Sequence, residues 1–219
     1  MMLRQPPREF APQPFRLLFM SGLSDPQCCA LSDGQHQLLR SLNLFTNCQV
    51  ASNFPWLAED RQQARHVPLW KASWHNSVQF LRASTPVRDQ LVLQHWNAVV
   101  ACTPAIVVIT LSCGLQIVNH CLRYGAQPSQ LHVIALGPVA WRRPSVSHTL
   151  ITGGRDWISL PFFPRPDIVI PRLGHLDYVT HPSVSETINR LLCNSTLKSL
   201  APAASFPAIP SVPQSSSNN

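Results

Sequence analysis

Residues 105–114 read AIVVITLSCG, and this stretch decides the fold. Ala105–Leu111 is apolar at every position but Thr110, the pattern of a strand buried on both faces of a parallel sheet. Ser112, Cys113 and Gly114 lead straight into Gly114–Arg123, where Leu115, Val118 and Leu122 fall on one side of a helix. A serine between a strand and a helix sits on a sharp turn that lifts its hydroxyl above the sheet. Its neighbours must then be small if strand and helix are to approach. Gly114 meets that demand. Thr110 stands where a G-x-S-x-G turn has its first glycine, and on local sequence Ser112 could equally be a helix cap.

Working outward, strands alternate with amphipathic stretches. Phe15–Met20 (FRLLFM) reads as a strand ending at the turn Ser21-Gly22-Leu23-Ser24-Asp25. A helix follows near Gly34–Leu44, with Leu38, Leu39 and Leu42 on one face, and Cys48–Ala51 is a short strand ending at Asn53-Phe54-Pro55. Residues 70–83 and 88–101 read as helices, the second with Val92, Trp96, Val99 and Val100 at helical spacing. Leu131–Leu136, His148–Thr152 and Asp167–Ile170 supply three more strands. The closing helix Ser183–Cys193 carries a capping box, with Ser183 as N-cap and Glu186 three residues on. Residues 137–147 show no strong period and read as a loop or cap element.

Such alternation predicts a three-layer α/β/α fold with a mostly parallel sheet. The domain is expected over residues 15–195. Residues 1–14, with four prolines, form an irregular lead-in, and the Pro/Ser-rich 200–219 form a disordered tail.

Composition narrows the function. Of 219 residues, 45% are hydrophobic and 12% charged, which supports a sizeable core under a weakly charged surface. The net charge of +7 comes from scattered arginines plus Lys71 and Lys198, not from a run or stripe, so no nucleic-acid partner is expected. The seven cysteines (Cys28, Cys29, Cys48, Cys102, Cys113, Cys121, Cys193) include no CxxC pair. They read as reduced, mostly buried thiols, with neither metal site nor disulfide framework implied and no cofactor expected. No segment approaches the ~18 uninterrupted apolar residues of a spanning helix, and the N-terminus is proline-broken where a signal peptide is apolar. A cytoplasmic protein without stable membrane insertion is the expectation.

In open parallel sheets, functional groups gather just beyond the carboxyl ends of the strands. Three polar residues lie there. Ser112 follows Ala105–Leu111. Asp156 follows His148–Thr152 through Gly153-Gly154-Arg155, well placed to orient an imidazole. His175 follows Asp167–Ile170 through Pro171-Arg172-Leu173-Gly174. Asp156 alone could cap a turn, and His175 alone could be an ordinary loop histidine. Together they make the chain order Ser…Asp…His, at separations of 44 and then 19 positions, room for one helix and strand and then for one strand.

In this respect the sequence resembles the α/β-hydrolase superfamily, and the compact serine hydrolases and esterases within it. The resemblance covers roughly residues 15–193 and is clearest in VVITLSCGLQIVNHCL (107–122), HVIALGPVAW (132–141), TLITGGRDWIS (149–159) and VIPRLGHLDYV (169–179). It implies Ser112 as nucleophile, His175 as general base and then acid, and Asp156 as the carboxylate that orients it. It also implies an oxyanion hole from the backbone N–H groups of Cys113 and Leu23, the latter in a turn that has Ser-Gly where family members often have His-Gly. Because the chain starts close to the strand before that turn, the superfamily's first two strands are expected to be absent or reduced.

The implied activity is hydrolysis of a small-molecule ester or thioester, with an apolar acyl group. The alternative is a catalytically inactive hydrolase-fold binding or scaffold protein, which Thr110 and the tail would allow. Cys113 is a poor nucleophile candidate because a residue one past the turn's apex points back into the fold. His181 is a distant second base, and Asp177, two residues from His175, suits a local turn. Trp56, Trp70 and Trp74 either line a pocket or lid or belong to the core.

Overall fold

The computed structural model describes residues 9–22, 30–44, 46–55 and 90–193. Within them six strands pair side by side, every pair parallel: β1 (Phe15–Ser21), β2 (Gln49–Asn53), β3 (Ala105–Leu111), β4 (Gln130–Leu136), β5 (Ser147–Gly153) and β6 (Ile168–Ile170), in the order β2-β1-β3-β4-β5-β6. The expected helix over 70–83, the tryptophans 56, 70 and 74, and the tail 200–219 lie outside the described residues, as does Leu23. The helices are α1 (Asp33–Arg40), α2 (Gln90–Ala101), α3 (Gly114–Tyr124) and α4 (Pro182–Cys193).

The apolar runs behave as their lack of alternation requires. Both faces of β1 and β3 are buried, and their side chains divide between two cores. Phe15, Leu17, Phe19, Val107, Ile109, Ile134, Leu136 and Ile151 meet Leu38 and Leu39 of α1 and Val184, Ile188 and Leu192 of α4. Leu18, Met20, Ile106, Val108, Val133 and Leu150 meet Val92, Trp96 and Val99 of α2 and Leu115, Val118 and Cys121 of α3. The result is a three-layer α/β/α fold. At ~25 cal/mol per Å² of apolar surface removed from water, a strand buried on both faces gains about twice what a half-exposed one does, which keeps β1, β3 and β4 inside the sheet and off its edges.

Register aligns the functional edge. Ser21 of β1 lies beside Leu111 of β3, Leu111 beside Leu136 of β4, and Leu136 beside Ile151 of β5. Chain segments leaving these strands therefore emerge at one level. Two starts differ from expectation. α1 begins at Asp33 behind a Ser32 cap whose box is closed by Gln35. α4 begins at Pro182, so Ser183 is inside the helix and is not its cap. Proline's fixed φ suits a first helical position, and the Ser183 N–H is met by His181 Nδ1 at 3.3 Å. Among the described residues Cys48, Cys102, Cys113, Cys121 and Cys193 are free thiols, no helix is long and apolar enough to cross a membrane, and no three His, Cys, Asp or Glu side chains group as metal ligands.

Candidate active site

Ser112 sits on the turn its sequence context predicts, and the backbone records the cost. Its φ is +54°, in the left-handed region that non-glycine residues rarely enter. Strain of this kind persists only where neighbours enforce it. Here the Ser112 N–H donates to Leu136 O at 3.0 Å and its carbonyl accepts the Val139 N–H at 3.1 Å, so the turn is pinned to β4 and the loop after it. On the other side α3 lies hard against β1. A Cβ on Gly114 would stand 2.2 Å from Met20 O, so only glycine permits the approach.

The three residues proposed from strand ends converge. Ser112 Oγ is 3.0 Å from His175 Nε2. His175 Nδ1 lies 2.9 Å and 3.0 Å from the two carboxylate oxygens of Asp156. Asp156 is fully buried. Burial pushes its carboxyl up. The bonds it receives from His175, Ser159 and Tyr178, with the Ser159 N–H, outweigh burial and hold it well below the usual carboxylate range. An ionised carboxylate only accepts, so Nδ1 carries the ring proton and Nε2 of the neutral imidazole is free to accept the Ser112 O–H.

The end of β1 is held by a residue that sequence reasoning passed over. Asn53, at the end of β2, accepts the Ser21 N–H through Oδ1 at 2.8 Å and donates Nδ2 to Ser21 O at 3.2 Å. That fixes the start of the Ser21-Gly22 turn beside Ser112. No backbone carbonyl among the described residues takes the Cys113 N–H, and the N-terminus of α3 adds its partial positive charge at the same spot. The Cys113 side chain turns inward: burial pushes its thiol up to about 11, against the downward pull of the Cys113 and Gly22 backbone N–H groups.

Other candidates fall elsewhere. Asp177 Oδ2 accepts the Gly174 N–H at 3.0 Å, a turn role, and His181 caps α4. Thr110 is fully buried, with its hydroxyl unpartnered. Ser159, Tyr178 and Gly137 were also missed. Their signal was faint: a serine three residues after Asp156, a tyrosine three after His175, and a glycine at the end of β4.

Strand order, the strained serine turn and the loops after β5 and β6 define a protein of α/β-hydrolase fold. No protein-family model matches the chain, and no curated protein sequence does. Among solved structures it is similar to an α/β-hydrolase candidate of unknown function from Agrobacterium tumefaciens, at 14% identity over 90% of this chain and 92% of that one, with a TM-score of 0.48. A YdeN-like hydrolase candidate from Pectobacterium atrosepticum is similar at 14% identity, 81% and 88% coverage and a TM-score of 0.41. A carboxylesterase from Mesorhizobium loti is similar at 15% identity, 82% and 88% coverage and a TM-score of 0.40.

Proposed function

We propose that this chain is a serine hydrolase that cleaves an ester or thioester through an acyl-enzyme. The observation that carries the reading is the continuous line from Ser112 Oγ through His175 to Asp156, with 3.0 Å and 2.9 Å contacts, built on a turn at positive φ. Ser112 Oγ attacks the carbonyl carbon while its proton passes to His175 Nε2. The imidazolium is held by Asp156, which stays ionised. The tetrahedral oxyanion takes the Cys113 N–H, with Leu23 as the second donor. Collapse breaks the bond to the alcohol or thiol, which leaves with the proton from Nε2. A water then enters, gives a proton to the same nitrogen and attacks the acyl carbon. Ser112 leaves protonated and the acid is released.

The acyl part is apolar in this reading. Trp157 and Ile158, next to Asp156, and Leu176, next to His175, are exposed and give the surrounding loops an apolar character. A fluorophosphonate probe tests the proposal. Wild type is expected to be labelled and Ser112→Ala not. Folded wild type that resists labelling would refute hydrolysis and leave a binding protein of hydrolase fold.

A further inference from the structure

The Asp156 carboxylate accepts four hydrogen bonds besides those of His175, and they come from two segments of the chain. Oδ1 accepts the backbone N–H groups of Ile158 at 3.1 Å and Ser159 at 3.0 Å. Oδ2 accepts the hydroxyls of Ser159 at 2.5 Å and Tyr178 at 2.7 Å. Tyr178 stands apart, because it comes from the segment that carries His175, whereas the others belong to Asp156's own turn.

The tyrosine oxygen also accepts the Gly153 N–H, at 2.7 Å. With that acceptor position filled by the strand end, its single proton is directed at Oδ2. Its ring meets His175 edge-on, 83° between planes and 6.2 Å between centroids. On the other side, a Cβ at Gly137 would stand 2.6 Å from the same ring and 2.9 Å from Oδ2. Tyr178 thus touches the ends of β4 and β5 as well as the carboxylate and the imidazole between them.

We propose that Tyr178 is a positioning residue of this site: its hydroxyl, seated on the Gly153 N–H, turns the Asp156 carboxylate so that both oxygens face His175 Nδ1, and its ring sets the plane in which the imidazole meets Ser112. The kinetic consequence rests on the serine-hydrolase reading. The geometric claim does not, since the His175–Asp156 bond can be observed without turnover.

Two readouts on Tyr178→Phe separate these claims. The first is the far-downfield proton resonance of the His175 Nδ1–H. It is expected to move upfield and broaden as the freed carboxylate swings and the proton exchanges faster with water. The second is the fluorophosphonate labelling rate. It is expected to fall about tenfold, short of the ~100-fold that ~1 Å of misplacement costs. A resonance that stays put or moves further downfield overturns the proposal, and so does labelling within twofold of wild type. If wild type itself is not labelled, the hydrolase reading fails and the resonance alone decides the geometry.

Should Tyr178→Phe not fold, a label replaces the mutation. The chain has two tyrosines, so 3-fluorotyrosine in a Tyr124→Phe background reports position 178 alone by fluorine NMR. Buried against a carboxylate, its hydroxyl is expected to stay protonated well past the pH at which free 3-fluorotyrosine ionises. Ordinary titration would overturn the hydroxyl-to-carboxylate bond, and with it the proposal.

Discussion

Gly114→Ala is the most direct perturbation of the serine turn. The added Cβ would lie 2.2 Å from Met20 O, 2.8 Å from Met20 C and 3.1 Å from Ser21 Cα, where ordinary contact begins at 3.4 Å. All three are backbone atoms, and β1 is hydrogen-bonded on both edges, to β2 and β3, so no side-chain rotation relieves the clash. Strand and helix must part by about 1.2 Å, and the helix is the more mobile partner. Ser112 stands two residues ahead of the helix, and the shift pulls it against the Leu136 and Val139 bonds that pin its turn. Its 3.0 Å contact to His175 Nε2 then stretches to about 4 Å, beyond hydrogen-bond reach.

Loss of the base's grip on the hydroxyl removes most of a contribution worth 10²- to 10⁴-fold, so the fluorophosphonate labelling rate is expected to fall about 100-fold. Overpacking costs about 1–3 kcal/mol, more than the ~1 kcal/mol that alanine's helix propensity returns. At about 2–4 °C per kcal/mol for a chain of this size, the melting temperature drops by several degrees. Wild-type labelling and melting in Gly114→Ala would show that strand and helix are not in contact here, and the turn geometry derived from it would be wrong.

Two further substitutions probe the interior. Thr110→Val removes a fully buried hydroxyl that has no partner. Its unfolding free energy in urea is expected to rise by about 1 kcal/mol with labelling within twofold of wild type; a fall in stability would mean that the hydroxyl is satisfied after all. His132, between Ser147 Oγ at 2.8 Å and Thr149 Oγ1 at 3.2 Å, has its pKa lowered from 6.5 to about 4 by burial and then by the charge of His148. A base whose folded value lies below its unfolded value binds more protons unfolded, so its contribution is complete above the unfolded value and is lost as pH falls below it. Between about pH 6.5 and 4 the wild type should lose stability with up to ~1.4 kcal/mol per pH unit of slope that His132→Gln lacks. Superimposable urea midpoints across that range would refute the assignment.

What the sequence disclosed follows from what a one-dimensional pattern can hold. β3 was legible because a strand buried on both faces has to be apolar throughout, and Ser112 because a sharp turn that sets a helix hard against the sheet needs a small residue such as Gly114. Asp156 and His175 were legible through their place just past strand ends and through the Ser…Asp…His order that the superfamily resemblance implies. Strands that all run one way bring their carboxyl ends to one edge, so residues far apart in the chain meet there. Tyr178 and Asn53 were not legible, because a hydroxyl or an amide acquires its role only from the loop or strand end that folding sets opposite it.

Ser183 shows the converse. Its S-x-x-E pattern is genuine, yet Pro182 claims the first helical position and moves the boundary by one residue. Thr110 is the most instructive departure. A glycine two residues before the serine avoids a side chain in a crowded part of the sheet, yet here a threonine is buried there. Its register partner on β4 is Ala135, the smallest side chain on that face of the strand, beyond Leu131 and Val133. Room absent from β3 is supplied by β4. The departure from G-x-S-x-G therefore leaves the backbone of the turn intact, and its cost is an unpartnered hydroxyl in the core.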